Sequence, residues 1–468
     1  MRKLVSVCAV LILVAALWGC GGPERSAVPK QAALPKQPAS FQVPVEYHKL
    51  DNGLLVVLSP DATAPIVTVA VYYNIGFRIE PRDRTGFAHL FEHMMFQGSE
   101  NLGKGEFIRL VQGQGGILNG STRFDFTNYF EIVPANKLET MLWADADRMR
   151  GLSITQENLT NQQGVVINEV KAAVHNAPYG GFPWLDVPQY ANQNWYNAHN
   201  FYGDIDDVAA ATLEDVRAFF NTYYRPNNAA VVVAGDIEPA QALAFVREYF
   251  GPIERGPQPT FPDIAEPRQE KEIKAEKDDP LANRPALAFA YHMPERNTPE
   301  YYAMGLLDQI LLQGEDSRLY RKLVQEKGLT GNVQGGINLL GNMFNYKGPM
   351  LWTAYLYFDA TTPETDILSA VDEIIDDVRT HPIDQATLDR ALVKTRSSLY
   401  DTMGGFYGFG RADLLASFAL FDDDPARINT LEEQFKAVTP NLLLTTARDY
   451  LRPGNRTILT IHPAKAKS

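Results

Sequence analysis

A chain built from two copies of one pattern is constrained to fold as two similar units, and this chain repeats itself. Tyr223-Tyr224-Arg225-Pro226-Asn227-Asn228 leads into the apolar run 229–234. At an offset of 227 residues, Tyr450-Leu451-Arg452-Pro453-Gly454-Asn455 leads into 456–461. In the same order, residues 68–73 and the apolar stretch at about 85–97 are echoed by 286–291 and 304–312. Gln97-Gly98 is matched by Gln313-Gly314 at an offset of 216. Two offsets that differ only by insertions point to duplication of a domain of roughly 200 residues. The 468 residues suffice for two such domains with sizeable cores. Runs rich in β-branched and aromatic residues predict strands at 54–58, 66–73, 128–133 and 229–234. Helices are expected at about 85–97 and 239–250, without regular strand–helix alternation. The expected class is α+β, with two homologous domains, each a mixed β-sheet with packed helices.

The first copy carries a pentapeptide that the second lacks, His89-Leu90-Phe91-Glu92-His93. On a helix, His89 and His93 lie one turn apart on one face, so both imidazoles can close on one metal ion. Glu92, three residues after His89, is within reach of a water beside that metal. This is the inverted zincin order, with the glutamate next to the second histidine. Phe87, Ala88, Leu90, Phe91, Met94, Met95 and Phe96 make the segment apolar nearly all round, as in a buried helix. Buried polar side chains there need partners. At the aligned positions the second copy has Gly305, Asp308 and Gln309, so only the first half can bind metal in this way.

The N-terminus reads as a targeting segment. Arg2 and Lys3 precede an apolar run from Leu4 to Trp18 that is short for a membrane span. It ends Leu17-Trp18-Gly19-Cys20, which resembles a bacterial lipobox with Cys20 as the lipidated residue. Gly21 after the cysteine favours the outer membrane by the same resemblance. The expectation is an exported, periplasmic lipoprotein that meets the membrane only through its anchor. Its signal peptide is 1–19, and its lipidated cysteine and Pro/Ala-rich tether are 20–43. The only two cysteines, Cys8 and Cys20, lie in this region, so the mature body has no disulfide pair and no thiolate ligand. A net charge of −13 without a basic stripe argues against a nucleic-acid partner. The expected domains are 44–255, catalytic, and 286–463, homologous and non-catalytic. The linker is 256–285, with a strand expected around 272–277.

A catalytic zinc needs a third protein ligand and an open position. The segment 162–170 offers Glu169, on a helix with Thr155 as the expected N-cap; taken alone, Glu169 reads as a solvated residue. The set His89-x-x-Glu92-His93 with Glu169 76 residues downstream resembles the insulinase/pitrilysin family of zinc endopeptidases. Leu50-Asp51-Asn52-Gly53-Leu54, Val133-Pro134-Ala135-Asn136, Ser317-Arg318-Leu319-Tyr320 and Glu326-Lys327-Gly328-Leu329 extend the resemblance over about 44–463. The resemblance implies Zn2+ held by His89, His93 and Glu169, with Glu92 as the base. It implies two halves facing each other across a clam-like, peptide-holding chamber. It also implies an edge strand at Asn119, Gly120, Ser121 and Thr122 to which the peptide substrate adds a strand.

The chain departs from the family pattern in two respects. The glutamate commonly found seven residues before the metal-binding one is Gln162, which can orient a ligand or water but cannot neutralise charge. The Arg and Tyr by which active members grip substrate align with Val324 and Gly331. In some two-chain bacterial relatives one subunit supplies zinc and the other this pair. The expectation is therefore a zinc-dependent endopeptidase acting as a heterodimer with a homologous, Arg/Tyr-bearing subunit. The alternative is a non-catalytic scaffold or peptide-binding subunit of the same fold.

Overall fold

Both halves of the chain build a sheet with apolar residues on its two faces, and each sheet therefore has to be covered twice. The computed structural model describes residues 41–463; Cys20, the signal segment 1–19 and the tether up to residue 40 lie outside the described residues. Eleven strands are formed: β1 (Glu46–Lys49), β2 (Leu55–Pro60), β3 (Ile66–Tyr73), β4 (Ile117–Thr122), β5 (Thr127–Pro134), β6 (Ala229–Gly235), β7 (Ile273–Asp279), β8 (Ala286–His292), β9 (Gln334–Ile337), β10 (Leu351–Tyr357) and β11 (Arg456–Pro463). The helices that position the site are α1 (Phe87–Met94), α2 (Leu138–Arg150), α3 (Gln156–Val170), α4 (Asp186–Ala191), α5 (Pro299–Leu311), α6 (Gln385–Gly404) and α7 (Phe409–Asp422).

The first sheet is ordered β1-β2-β6-β3-β5-β4 and the second β7-β11-β8-β10-β9. Apart from β1, the two orders match strand for strand along the chain. The parallel pairs also correspond, β2 with β6 and β7 with β11. The fold is α+β, and the repetition visible in the sequence is a repetition of topology. Strand β7 falls inside 256–285, while residues 251–272 before it form no helix or strand.

Alternation along the strands decides what each face meets. In the first sheet Val67, Val69, Val71, Val231 and Val233 share a core with α1 and α2. Ala70, Tyr72, Phe130, Ala230 and Val232 point the other way, into a core that includes Leu414, Leu415 and Phe418 of α7. That helix belongs to the second half. The exchange is reciprocal: Ala286, Ala288 and Ala290 of β8 pack against Val187 and Ala191 of α4, from the first half. Alanines there let the short helix come close. Polar contacts follow the same crossing, with Lys277 paired to Asp186 at 2.8 Å and Tyr179 N–H donating to Asp279 at 2.6 Å. Among the described residues no helix is long and apolar enough to cross a membrane.

A cluster of charged side chains is buried beside the first half's core. Arg148 of α2 pairs with Asp145 and lies 3.7 Å over the Phe107 ring. Glu131 of β5 faces the same cluster. Burial first, then the neighbouring Asp145, pushes the Glu131 carboxyl well up, and Arg148 opposes the shift.

Candidate metal centre

Helix α1 starts at a position only glycine suits. Gly86 has φ 81°, and a Cβ there would lie 2.5 Å from the Tyr202 carbonyl oxygen. The first amides of α1 are taken by Glu80, whose Oε2 accepts from Gly86 N at 2.9 Å and Oε1 from Ala88 N at 2.5 Å. A carboxylate at a helix N-terminus meets both the free donors and the positive end of the dipole. Glu80 is fully buried; burial raises its pKa, opposed by His199 and by those two amides.

From this anchored start, His89 and His93 project from one face of α1 towards Glu169 on α3. Thr155 caps α3 as expected, accepting from Asn158 N at 3.1 Å. His89 Nε2 is 3.5 Å from Glu169 Oε1, and His93 Nε2 is 3.3 Å from Glu169 Oε2. All three donor atoms lie within 4.8 Å of one another. Tetrahedral zinc with bonds of about 2.0–2.1 Å spaces its ligand atoms roughly 3.4 Å apart, so the donor set and its spacing fit this ion. Burial, and secondarily the neighbouring His93, brings His89 down to about 4, so its imidazole is neutral and free to ligate near neutral pH. Glu169 is held below the usual carboxylate range, first by its hydrogen bond with His93.

Glu92 stands apart from the three donors and is held separately. Its Oε2 accepts from Thr122 Oγ1 at 2.8 Å. Burial raises its pKa, while Thr122, His93 and Arg123 oppose the rise. A carboxylate placed in this way is suited to accept a proton. Gly120 lies directly alongside: a Cβ there would come 3.3 Å from Glu92 Cγ and 3.2 Å from the Tyr129 ring. The absent side chain brings the β4 backbone against the glutamate.

The four edge-strand residues divide by direction. All lie on β4, which among the described residues has β5 as its only neighbour in the sheet. Asn119 is exposed, and Ser121 donates to Asn128 at 2.5 Å. The Thr122 side chain is buried and serves Glu92. Gln162 is buried on α3, but its amide donates to Asn161 at 2.8 Å, and among the described residues it makes no hydrogen bond to Glu169. The hydrogen bond that Glu169 does receive from outside α1 comes from Tyr202, whose hydroxyl is raised to about 12, first by burial and then by Glu169. The Tyr202 ring also stands edge-on to His89 at 5.2 Å. The aromatic richness of 179–202 was the only sequence signal for Tyr202. In the second half, a Cβ on Gly331 would meet nothing within 4 Å.

Known proteins match this architecture. The family described as Insulinase (Peptidase family M16) matches residues 55–183, and its companion, the Peptidase M16 inactive domain, matches residues 210–393. The chain belongs to the insulinase/pitrilysin family as a two-domain member. It is 25% identical to the zinc protease PqqE of Helicobacter pylori over 424 residues, covering 88% of this chain and 92% of that protein. It is also 25% identical to a probable mitochondrial-processing peptidase subunit beta of Schizosaccharomyces pombe over 367 residues, 75% of this chain and 77% of that one. Among solved structures, a protease from Helicobacter pylori superposes with a TM-score of 0.83 at 24% identity, over 90% of this chain and all of the other.

Proposed function

We propose that this chain is a zinc-dependent endopeptidase for extended peptides or unfolded segments, working with a second subunit. The observation that carries the reading is the convergence of His89, His93 and Glu169 beside a separately held Glu92, all against an open sheet edge. Zinc, when bound by these three side chains, supplies a water of lowered pKa and polarises the scissile carbonyl. Glu92 accepts the proton of the attacking water and delivers it to the leaving amine. Thr122 keeps its carboxylate aimed, and Tyr202 does the same for Glu169. The β4 edge, bare at Gly120, aligns a peptide backbone by strand addition.

Val324 and Gly331 support a partner. Neither side chain can donate to a developing oxyanion, a loss that typically lowers rates by about 10²–10³. A homologous subunit carrying an Arg/Tyr pair would restore it. The same two residues favour the second reading, a non-catalytic peptide-binding scaffold. The test is zinc content and chelator-sensitive cleavage of a quenched peptide by the chain alone, by the chain with a co-encoded homologue, and by Glu92→Gln. The expected result is zinc in every preparation and strong cleavage only with the partner and an intact Glu92. Full activity without a partner would overturn the two-subunit reading; zinc-free protein with no cleavage would favour the scaffold. We also infer export and lipid anchoring through Cys20, supported by the N-terminal sequence. Cys20→Ala should release the protein from the membrane fraction.

A further inference from the structure

The junction of α6 and α7, Gly404-Gly405-Phe406-Tyr407-Gly408-Phe409-Gly410, takes no part in the metal centre. It nevertheless presents two large aromatic side chains to solvent, Phe406 at 54% and Tyr407 at 69% exposure. Both have left-handed backbone angles, φ 48° and 57°. Such conformations are disfavoured in non-glycine residues and persist only where the surroundings hold them. The surroundings are specific here. Gly408 has φ 89°, and a Cβ on Gly410 would lie 1.8 Å from the Thr402 carbonyl oxygen. Phe409 then stacks on Phe130 at 3.7 Å, and Phe406 meets the same ring edge-on at 5.8 Å.

Phe130 ties this loop to the open sheet edge. In the β4–β5 register Gly120 is opposite Tyr129, Asn119 opposite Phe130, and Ile117 opposite Ile132. Tyr129 lies on the α1 face, donating to the Phe91 carbonyl at 3.2 Å. Phe130 and Ile132 lie on the other face, with α7. Ile117 is itself 40% exposed on the edge. A peptide added to β4 must alternate its side chains between the same two faces. A side chain level with Gly120 lies on the side of Glu92. Those level with Asn119 and Ile117 lie on the side of Phe130 and the aromatic loop.

We propose that Phe406 and Tyr407, with Phe130 beneath them, form a selective subsite for aromatic or long aliphatic side chains at alternate positions of a peptide seated on β4. The proposal rests on the reading of β4 as the peptide-holding edge, and it names the substrate class of that edge: extended segments with apolar residues spaced by two. The aromatic ledge contacts Phe130 on β5, opposite Asn119 of the edge strand, and a peptide seated on β4 is the occupant that this register brings beside it.

The test measures binding of fluorescein-labelled Ser/Thr/Ala peptides, with one Phe or one Asp scanned through each position, to the zinc-loaded full chain carrying Glu92→Gln. The expected result is a Phe-over-Asp preference of about tenfold, the weight of one aromatic contact, recurring at every second position. Phe406→Ala with Tyr407→Ala should bring that ratio to within about twofold, and Tyr407→Arg should turn it towards Asp. Both residues are exposed, so these variants retain the fold. An unchanged ratio in the variants, a preference without period two, or no peptide binding would each overturn the proposal. So would a change in oligomeric state alone, which would make the ledge a contact between chains. Selective binding by a wild-type chain that never cleaves, with or without a partner, would instead defeat only the peptidase reading.

Discussion

Tyr72, in the middle of the first sheet, donates a 2.8 Å hydrogen bond to Asp413, on the helix that the second half lays across that sheet. Both side chains are buried. Asp413 also accepts from Asn342 and Asn345, at 3.2 and 3.3 Å, so one carboxylate joins the β9–β10 loop and α7 of the second half to the sheet of the first. Burial raises the Asp413 pKa, against the hydrogen bonds from Tyr72 and the two amides.

Removing the acceptor should therefore cost more than removing one donor. Tyr72→Phe is expected to lose about 1 kcal/mol, the net worth of one hydrogen bond. Asp413→Ala leaves a buried hydroxyl and two amides without their acceptor, and should cost at least about 2–3 kcal/mol. Urea unfolding of both variants checks the order; equal losses would show that Asp413 is not the shared node.

Glu80 should be felt at the metal without touching it. Glu80→Ala strips the first amides of α1 of their acceptor, a loss of about 0.5–2 kcal/mol by the usual cost of an N-cap. Because α1 carries two of the three donors, zinc affinity should fall by roughly tenfold, as for other residues that orient ligands. Competition with a fluorescent chelator measures it, and unaltered affinity would separate the cap from the site.

Thr122→Val keeps the shape of the side chain but removes the donor to Glu92. The rate of peptide hydrolysis should drop by about tenfold with little change in KM, because the base is misaimed while the substrate edge is intact. Thr122→Ser should recover most of the rate. If valine and serine behave alike, the hydroxyl plays no part in aiming Glu92.

Glu131 predicts a pH dependence of stability. Its carboxyl is held well above the usual range by burial and by Asp145, so the folded state binds its proton more tightly than the unfolded chain. Stability from this group is complete below the unfolded value of about 4.3 and is lost as pH rises through the folded value. Glu131→Gln, which stays neutral and can still donate to Asp145, should match wild type near pH 4. It should melt higher at pH 8, by roughly 1 °C per kcal/mol for a chain of this size. A lower melting temperature at pH 8 would contradict the assignment.

How much of this was legible beforehand follows from the range of each interaction. His89, Glu92 and His93 share one helical turn, so their grouping is a local property of spacing. The repeated topology was legible because both halves keep the same apolar runs in the same order. Glu169, 76 residues beyond His93, joined the set only by family resemblance, since nothing local ties it to α1. Glu80, Thr122 and Tyr202 depend wholly on tertiary approach, and no periodicity marks them. Thr122 shows the limit most clearly: alternation on β4 places it on the α1 face, but only the packed structure turns its hydroxyl to Glu92. The exchange of α4 and α7 between the halves was invisible for the same reason.

That exchange has a consequence for the history of such a chain. A duplicated segment that has lost its chemistry is ordinarily free to decay or be deleted. Here deletion of the silent copy would lay bare one whole face of the sheet that carries the metal-binding half, including Tyr72, Phe130 and Val232. The second half, without metal ligands at the positions aligned with His89 and His93, is still held to its shape by α7. A duplication interlocked in this way keeps both copies in shape even where their chemistry differs.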